Sequence, residues 1–408
     1  MNLFLLKRIV RSIWFRPALY ALASVLTVVL APIVALFVPE NWVGWINDGA
    51  VEQTLEILAS SLLAVAIFAL ATMFSAFQAA AQAATPRARP LMTEDRTAQT
   101  AVSTFIGAFL FSLLALIGLS SGLYSDAGLP VLFALTLILV GVVVYALIRW
   151  IERLSGFGGV EEAILAIERA ACEAIRSDVR NPGLGGRNAA DPPANAETVE
   201  AGCTGYVQSV DIQRLAGLIA KHDIKIHIAA RPGRFVGAGR PLAYATGLND
   251  DTADCIREAF VVSTGRTFAE DPRFGLVALS EIASHALSPA VNDPGTAISV
   301  LAAQARLFET WSGLRRECDP AEPVEGLTAA PLDIGEALED AFMATARDGA
   351  GHVEVATRLQ VVLAMLERAD PDRYGAAFPR LRERALDYAR DRLGEGWEFD
   401  AVKSAAAT

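Results

Sequence analysis

The sequence predicts an α-helical membrane protein with four transmembrane helices, followed by a mostly helical α+β cytosolic domain. Three observations predict this class: long apolar stretches near the N-terminus, connecting segments that alternate between basic and acidic, and a polar remainder with mixed helix and strand patterns. Hydrophobic residues make up 53% of the 408 residues and charged residues only 20%. The mean hydropathy of +0.37 is high for a soluble chain.

The apolar stretches predict four membrane spans in residues 1–150. They comprise residues 18–38, 56–83, 101–123 and 129–148. Each is close to or longer than the ~20 residues that cross a hydrocarbon core. Within them the only ionisable acidic or basic side chain is Glu56, at one edge, and a charge at the centre of a span costs several kcal/mol. The first stretch is too long for a signal peptide and lacks a small-x-small cleavage site, so we expect it to be retained.

The connecting segments predict the orientation of the spans. Lys and Arg precede the first stretch, lie between the second and third, and follow the fourth. The other two connections contain neither residue and carry Glu40, Asp48, Glu52 and Asp126. Because cationic loops stay on the cytoplasmic side, both termini are expected in the cytoplasm.

The remainder of the chain divides into three predicted segments. Residues 151–199 read as a linking helix followed by a flexible loop, because Gly, Pro and Asn cluster near the end of the segment. Residues 200–248 alternate as short strands around one helix that Asp211 caps, which predicts a small α+β module. Residues 249–408 return to helical spacing and predict a helical cytosolic region.

The second span carries a polar stripe. At 100° per residue, Ser61, Thr72, Ser75 and Gln82 fall on one face, and Gln78 lies beside them towards the inner end. Uncharged hydroxyls and amides hydrate ions without trapping them, so these residues are candidates for the lining of a pore. The alternative is helix–helix packing, in which Ser, Thr and Ala allow close approach.

The loop between spans two and three is a candidate coupling loop. It contains Arg87, Arg89, Glu94, Asp95 and Arg96 at the inner membrane face. These charges suit ion pairs with the cytosolic domain that would transmit its state to the spans. The alternative is positive-inside topology together with contact to anionic lipid.

Polar residues on two loops of the cytosolic domain form a candidate ligand site. They are Arg266, Asp271, His285, Ser288, Asn292, Asp293 and Thr296. The segment Asn292-Asp-Pro-Gly is typical of a turn, and Asp293 or Thr296 suits a helix N-cap. A capped turn with polar bracing is therefore the alternative interpretation.

Several function classes lack their motifs in this chain. The four histidines show no paired metal-ligand spacing, and neither a GxSxG elbow nor a GK[ST] phosphate loop occurs. We therefore expect no metal site, no cofactor and no enzymatic activity. The net charge of −11 falls mostly on the C-terminal part, which argues against nucleic acid as a partner.

Several short segments in one order carry a resemblance to a known family. They are Ala83-Ala-Thr-Pro-Arg-Ala-Arg, Thr104-Phe-Ile-Gly, Asp271-Pro-Arg-Phe-Gly and Ala286-Leu-Ser-Pro-Ala-Val-Asn-Asp-Pro-Gly. Over roughly residues 10–310 the chain resembles the bacterial predicted membrane proteins catalogued as domain of unknown function 2254. The resemblance implies a bacterial inner-membrane protein with N-terminal spans and a cytosolic domain. It implies no reaction.

The residues themselves support two main hypotheses of function. The first is a homo-oligomeric channel or pore in the lipid bilayer, for ions or small solutes, modulated by its cytosolic domain. The alternative is a non-conducting membrane sensor or scaffold whose cytosolic domain binds a small molecule or protein partner. A weaker third option is an enzyme at the inner membrane face that uses Asp271, His285, Asn292 and Asp293.

Overall fold

The protein is described by a computed structural model that covers residues 15–35, 48–93, 96–122, 124, 128–155, 159–371 and 377–407. The chain divides into two compact units, an N-terminal unit of Met1–Glu162 and a C-terminal unit of Ala163–Thr408. In the described part of the N-terminal unit, all regular elements are helices.

In the described part of the N-terminal unit, three long helices pack against a fourth, central one. Its helices are α1 (Phe15–Ala35), α2 (Asp48–Ala83), the short α3 (Arg89–Thr93), α4 (Arg96–Ser120) and α5 (Leu129–Ser155). Helix α4 packs against α1, α2 and α5. In the most apolar segment of α4, 56% of the residues are buried inside the bundle. The corresponding share is 22% in α2 and 17% in α5. The interior holds the large buried side chains of Leu55, Phe105, Phe111 and Leu132.

Small residues let α1 and α4 approach closely. The Ser24 Oγ donates a hydrogen bond to the carbonyl oxygen of Gly107, at 2.8 Å. A Cβ atom added to Gly107 would lie 3.1 Å from the Cβ of Tyr20. This is the packing that membrane helices favour, since lipid offers no hydrophobic drive towards association.

Three helices of the described chain are long and apolar enough to cross a membrane. These segments are Gly49–Ala76, Thr97–Ser120 and Leu129–Arg153, which correspond to the predicted second, third and fourth spans. The apolar part of α1, Pro17–Ala31, is shorter. The predicted first span runs to residue 38 and so extends outside the described residues, and a fourth span stays a prediction.

The C-terminal unit combines helices with two small sheets. Its helices are α6 (Val160–Arg180, which begins in the N-terminal unit), α7 (Ile212–His222), α8 (Asp250–Arg257), α9 (Pro272–Ala286), α10 (Pro294–Glu317), α11 (Ile334–Asp348), α12 (Val353–Ala369), α13 (Phe378–Leu393) and α14 (Trp397–Ala407). Its strands are β1 (Arg187–Asn188), β2 (Glu197–Glu200), β3 (Gly205–Val210), β4 (Ile226–Ile228), β5 (Phe235–Val236), β6 (Pro241–Ala245), β7 (Phe260–Ser263) and β8 (Leu327–Ala329). The predicted α+β class of this part is confirmed.

The strands form a five-stranded sheet in the order β1-β8-β4-β6-β2 and a three-stranded sheet in the order β5-β3-β7. Strand β8 is parallel to both β1 and β4, whereas β6 is antiparallel to β2 and β4. The core beneath them includes Val207, Leu215, Ile226, Ile228 and Ile256, all fully buried. The side chain of Asp211 caps α7 by accepting from the backbone N–H of Arg214, as predicted.

The sheets also include strands that the sequence pattern does not predict. The predicted flexible loop in residues 151–199 contains β1 and β2, and the predicted helical region 249–408 contributes β7 and β8. These strands have two to four residues, and β2 exposes three of its four side chains. Such short strands carry little pattern of their own, and pairing with neighbouring strands determines their conformation: β1 pairs with β8, β2 with β6, β7 with β3 and β8 with β4.

Candidate functional site

The polar stripe of α2 lies on the uncovered side of the helix. Ser61 and Ser75 are exposed and Thr72 is partly exposed. The opposite side of α2 buries Leu55, Leu62, Ala66, Ala69 and Met73. Among the described residues, the hydroxyls of Ser61 and Ser75 therefore take no part in packing, and packing against another copy stays an alternative to pore lining.

Two hydroxyls of the stripe, those of Ser61 and Thr72, are bonded to their own helix. Ser61 Oγ donates to the carbonyl oxygen of Ile57 at 2.7 Å, and Thr72 Oγ1 donates to that of Phe68 at 2.9 Å. A hydroxyl that donates in this way keeps lone pairs with which it can accept from water. Gln78 accepts at Oε1 from Arg89 Nη2 at 3.0 Å. The side chain of Gln82 lies outside the described residues.

The outer faces of α1 and α5 are lined by aliphatic side chains, whereas that of α2 mixes small, polar and large apolar ones. Helix α1 exposes Leu22, Val29 and Ile33, each more than half accessible, and α5 likewise exposes Ile138 and Ile148. Such branched aliphatic side chains suit contact with lipid chains. On α2 the exposed face also carries alanines and serines, here Ser60, Ser61, Ala64, Ala71, Ser75 and Ala79. The exposed side of α2 also carries large apolar side chains, of which Ile57, Ile67, Phe68 and Phe74 are each at least 60% exposed.

The candidate coupling loop forms two short helical turns. Thr85 caps a 3-10 turn at Pro86–Ala88 by accepting from the backbone N–H of Arg87, and α3 follows it. The side chains of Arg87 and Arg89 are exposed. Glu94 and Asp95, and the side chain of Arg96, lie outside the described residues.

Two residues of the predicted ligand site form a buried ion pair. Arg266 donates to Asp271 through Nε and Nη2, at 2.7 and 3.0 Å, and the Asp271 side chain is 3% exposed. Asp271 also caps α9 by accepting from the backbone N–H of Phe274, over whose ring the guanidinium lies. Burial raises the pKa of the Asp271 carboxyl, while the hydrogen bonds from Arg266 oppose the increase. Gly233 approaches closely, because a Cβ there would lie 2.3 Å from Asp271 Oδ2.

The other five residues meet in the turn after α9. Ser288 Oγ donates to the carbonyl oxygen of His285 at 2.7 Å. Asp293 caps α10 by accepting from Thr296, through both its backbone N–H and its hydroxyl. Asn292 adopts a left-handed conformation with φ of 51°.

The structure thus separates the predicted ligand site into two groups. Asp271 and His285 stand at opposite ends of α9, which at ~1.5 Å per residue is roughly 20 Å long. Each group supplies helix caps and turn hydrogen bonds. These are the contacts of the capped-turn interpretation.

A cleft that sequence reasoning missed lies between α9, α11 and α13. It has a volume of about 390 Å³. It is lined by Val277, Ser280, Glu281, Ser284, Glu339, Asp340, Met343, Ala344, Arg347, Arg384 and Tyr388. These residues come from three segments far apart in sequence, and on each helix they read as an ordinary amphipathic surface. The spacing of Val277, Ser280, Glu281 and Ser284 on α9 is the one local signal, since these positions share a helix face.

Within the described ranges, no group of three or more His, Cys, Asp or Glu side chains is arranged to hold a metal ion.

Comparison with known proteins shows the family. Residues 10–365 match the family described as predicted membrane protein, domain of unknown function 2254. A segment of 118 residues is 37% identical to uncharacterized proteins of Mycobacterium bovis and Mycobacterium tuberculosis. That segment is 27% of this chain and 22% of each relative, so the match spans about a fifth of the relatives' length. No solved structure matches. Because the family match covers most of the chain and agrees with the resemblance in its motifs, the chain belongs to this family of predicted membrane proteins.

Proposed function

We propose that the chain is the protomer of an oligomeric membrane channel for ions or small solutes, in which α2 lines the path and the C-terminal unit modulates it. The observation that carries the proposal is the uncovered stripe of Ser61, Thr72 and Ser75 on a helix long enough to span a bilayer. Uncharged hydroxyls on a pore wall replace water around a solute without holding it.

The proposed path runs between protomers. The interior of the bundle is filled by Leu55, Phe105, Phe111 and Leu132. A symmetric ring of copies that brings the α2 stripes together would enclose a polar path and leave the aliphatic faces of α1 and α5 to lipid. The proposal therefore requires a homo-oligomer, and a strictly monomeric protein in the membrane would contradict it.

The proposed location is the bacterial inner membrane, with both termini in the cytoplasm. The positive charges beside the predicted spans support this orientation, notably Arg87, Arg89, Arg149 and Arg153. In this orientation the exposed Arg87 and Arg89 lie at the cytoplasmic mouth of the path, where the C-terminal unit would act on it.

Ion flux through the reconstituted full chain tests the proposal. We expect liposomes that contain the protein to conduct, and the double variant Thr72→Leu/Ser75→Leu to suppress the flux at unchanged oligomer size. The matched control is Val142→Leu/Val144→Leu, which adds bulk to the exposed aliphatic face of α5. Equal flux in both double variants would show that α2 does not line the pore.

A non-conducting sensor is the second candidate, and the cleft in the C-terminal unit favours it. A sensor needs a ligand site on a well-packed element, and the cleft lies between three packed helices. Absence of flux at every pH and potential tested, together with ligand binding by the same preparation, would favour this candidate over the channel.

A further inference from the structure

One side of α12 faces outward from the C-terminal unit, and the opposite side is buried in it. The outward side has a shallow depression at the surface, lined by Val353, Glu354, Thr357, Arg358 and Val361. We propose that these five residues, called the α12 face, bind the same face of a second copy of the chain as an antiparallel pair of helices. The inference goes beyond the proposed channel function, and its test does not measure flux.

The α12 face is apolar along one line. Val353, Thr357 and Val361 are spaced four residues apart, so their side chains stack along successive turns of the helix. Val361 is 42% exposed, and the other two are partly exposed. A line of β-branched side chains with this spacing is what one helix buries against another.

Two charges beside this line have no partner in the described part of the chain. Glu354 and Arg358 are exposed, and neither forms an ion pair or a side-chain hydrogen bond there. Exposed arginines of the neighbouring α13 do form such pairs, as Arg384 does with Glu339. At 100° per residue, Glu354 and Arg358 lie on the same side of the apolar line. The face therefore presents one negative and one positive group to whatever binds it.

Two-fold symmetry makes this arrangement self-complementary. In an antiparallel pair the two ends of the face exchange places, so an axis beside Thr357 sets Val353 of each copy near Val361 of the other. The same axis keeps the charges on one side of the contact and brings Glu354 of each copy towards Arg358 of the other. A parallel pair would set each charge against its like. Charge complementarity thus favours a second copy in the antiparallel orientation.

The contact is small, which determines where the dimer forms. The face spans residues 353–361, or roughly 12 Å at ~1.5 Å per residue. A contact of that length buries less than the ~800 Å² per partner of a typical stable interface. Copies of a membrane protein are confined to one bilayer, which raises their effective concentration. We therefore expect the dimer in the membrane rather than in dilute detergent solution.

Cross-linking of the purified full chain in liposomes tests the proposal. Thr357→Cys, in a chain whose natural cysteines are replaced by serine, should form a covalent dimer with a short bismaleimide, because position 357 lies beside the proposed axis. Ser177→Cys is the matched control and should stay monomeric, since Ser177 is exposed on α6, outside the α12 face. Equal dimer fractions in the two variants, or no dimer of Thr357→Cys, would overturn the proposal. A cross-linked product in cells whose mass differs from that of a dimer would assign the face to another protein and also overturn it.

Charge reversal distinguishes the proposed contact from chance collisions. In the Thr357→Cys chain, Glu354→Arg and Arg358→Glu should each lower the dimer association constant about tenfold, because each turns two attractions into two repulsions. The double exchange Glu354→Arg/Arg358→Glu restores opposite charges across the contact and should restore the cross-link. Single variants that cross-link like the parent, or a double exchange as weak as the single variants, would contradict the antiparallel pair.

Discussion

Removal of Arg266 should destabilise the C-terminal unit more than removal of any comparable surface arginine. In the variant Arg266→Ala, the Asp271 carboxylate, which is 3% exposed in the native protein, loses both guanidinium hydrogen bonds. It keeps the N–H of Phe274 at 3.2 Å, since it still caps α9. The variant therefore leaves a buried charge with one partner in place of three.

The expected cost follows from burial. Breaking a buried ion pair by removing one partner costs about 3–5 kcal/mol. Burial already raises the pKa of Asp271 in the folded protein, and loss of Arg266 raises it further. In this variant the folded state binds the proton of Asp271 more tightly than the unfolded state does. The loss of stability is therefore fully present above the pKa that Asp271 has in the folded variant. It shrinks as the pH falls towards 3.8, the reference pKa of the carboxyl.

Hydrogen–deuterium exchange in the full chain measures this loss locally. We expect the amides of α9 to lose at least about a hundredfold of protection, the equivalent of ~3 kcal/mol. Arg306→Ala is the matched control, because Arg306 also makes two hydrogen bonds to one carboxylate, that of Glu168, but is 51% exposed. That pair should contribute at most about 1 kcal/mol. Equal losses in the two variants would refute the reasoning from burial.

Three further predictions concern the C-terminal unit. Gly233→Ala should cost roughly 2–3 kcal/mol of stability, because φ is +89° and the new Cβ would meet Asp271. Gly217→Ala is the control: the residue lies within a helix with nothing within 4 Å of the new Cβ, so this change should stabilise by up to about 1 kcal/mol. Thermal unfolding compares the two variants. Burial lowers the pKa of His227, so stability is present above its unfolded pKa of 6.5 and is lost as the pH falls below that value. His227→Gln should flatten this part of the stability–pH curve, and an unchanged slope would assign the dependence to another group. A membrane-impermeant maleimide should label exposed Cys203, as the sole remaining thiol, in inverted vesicles and not in intact cells; the opposite pattern would reverse the proposed orientation.

The membrane helices could be predicted from the sequence because their signal is local. Long uncharged stretches define them, and the structure has membrane-capable helices at three of the four predicted places. The central position of α4 is not local information. It depends on Gly107 and Ser24, which are 83 positions apart in sequence, meeting across two helices.

The sites were less predictable because they depend on tertiary contacts. Asp271 and His285 lie on loops that flank one predicted helix, and only the length of that helix shows that they stand at opposite ends. The cleft joins residues of α9 to Glu339 and Arg384, which lie about 60 and 100 positions further along the chain. The one local pattern is the shared helix face of Val277, Ser280, Glu281 and Ser284, and an amphipathic surface helix has the same pattern.

The most direct test of the channel proposal is the aqueous accessibility of α2 in the membrane. Single cysteines at Thr72 and Ser75 are compared with single cysteines at Leu63 and Leu70, in a chain whose natural cysteines are replaced by serine. Leu63 and Leu70 are also exposed, at 44% and 48%, but lie about 120° or more around the helix from the stripe. The proposal predicts that an impermeant methanethiosulfonate reacts at positions 72 and 75 and not at 63 and 70. Equal reactivity at all four, or reaction at none, would contradict it.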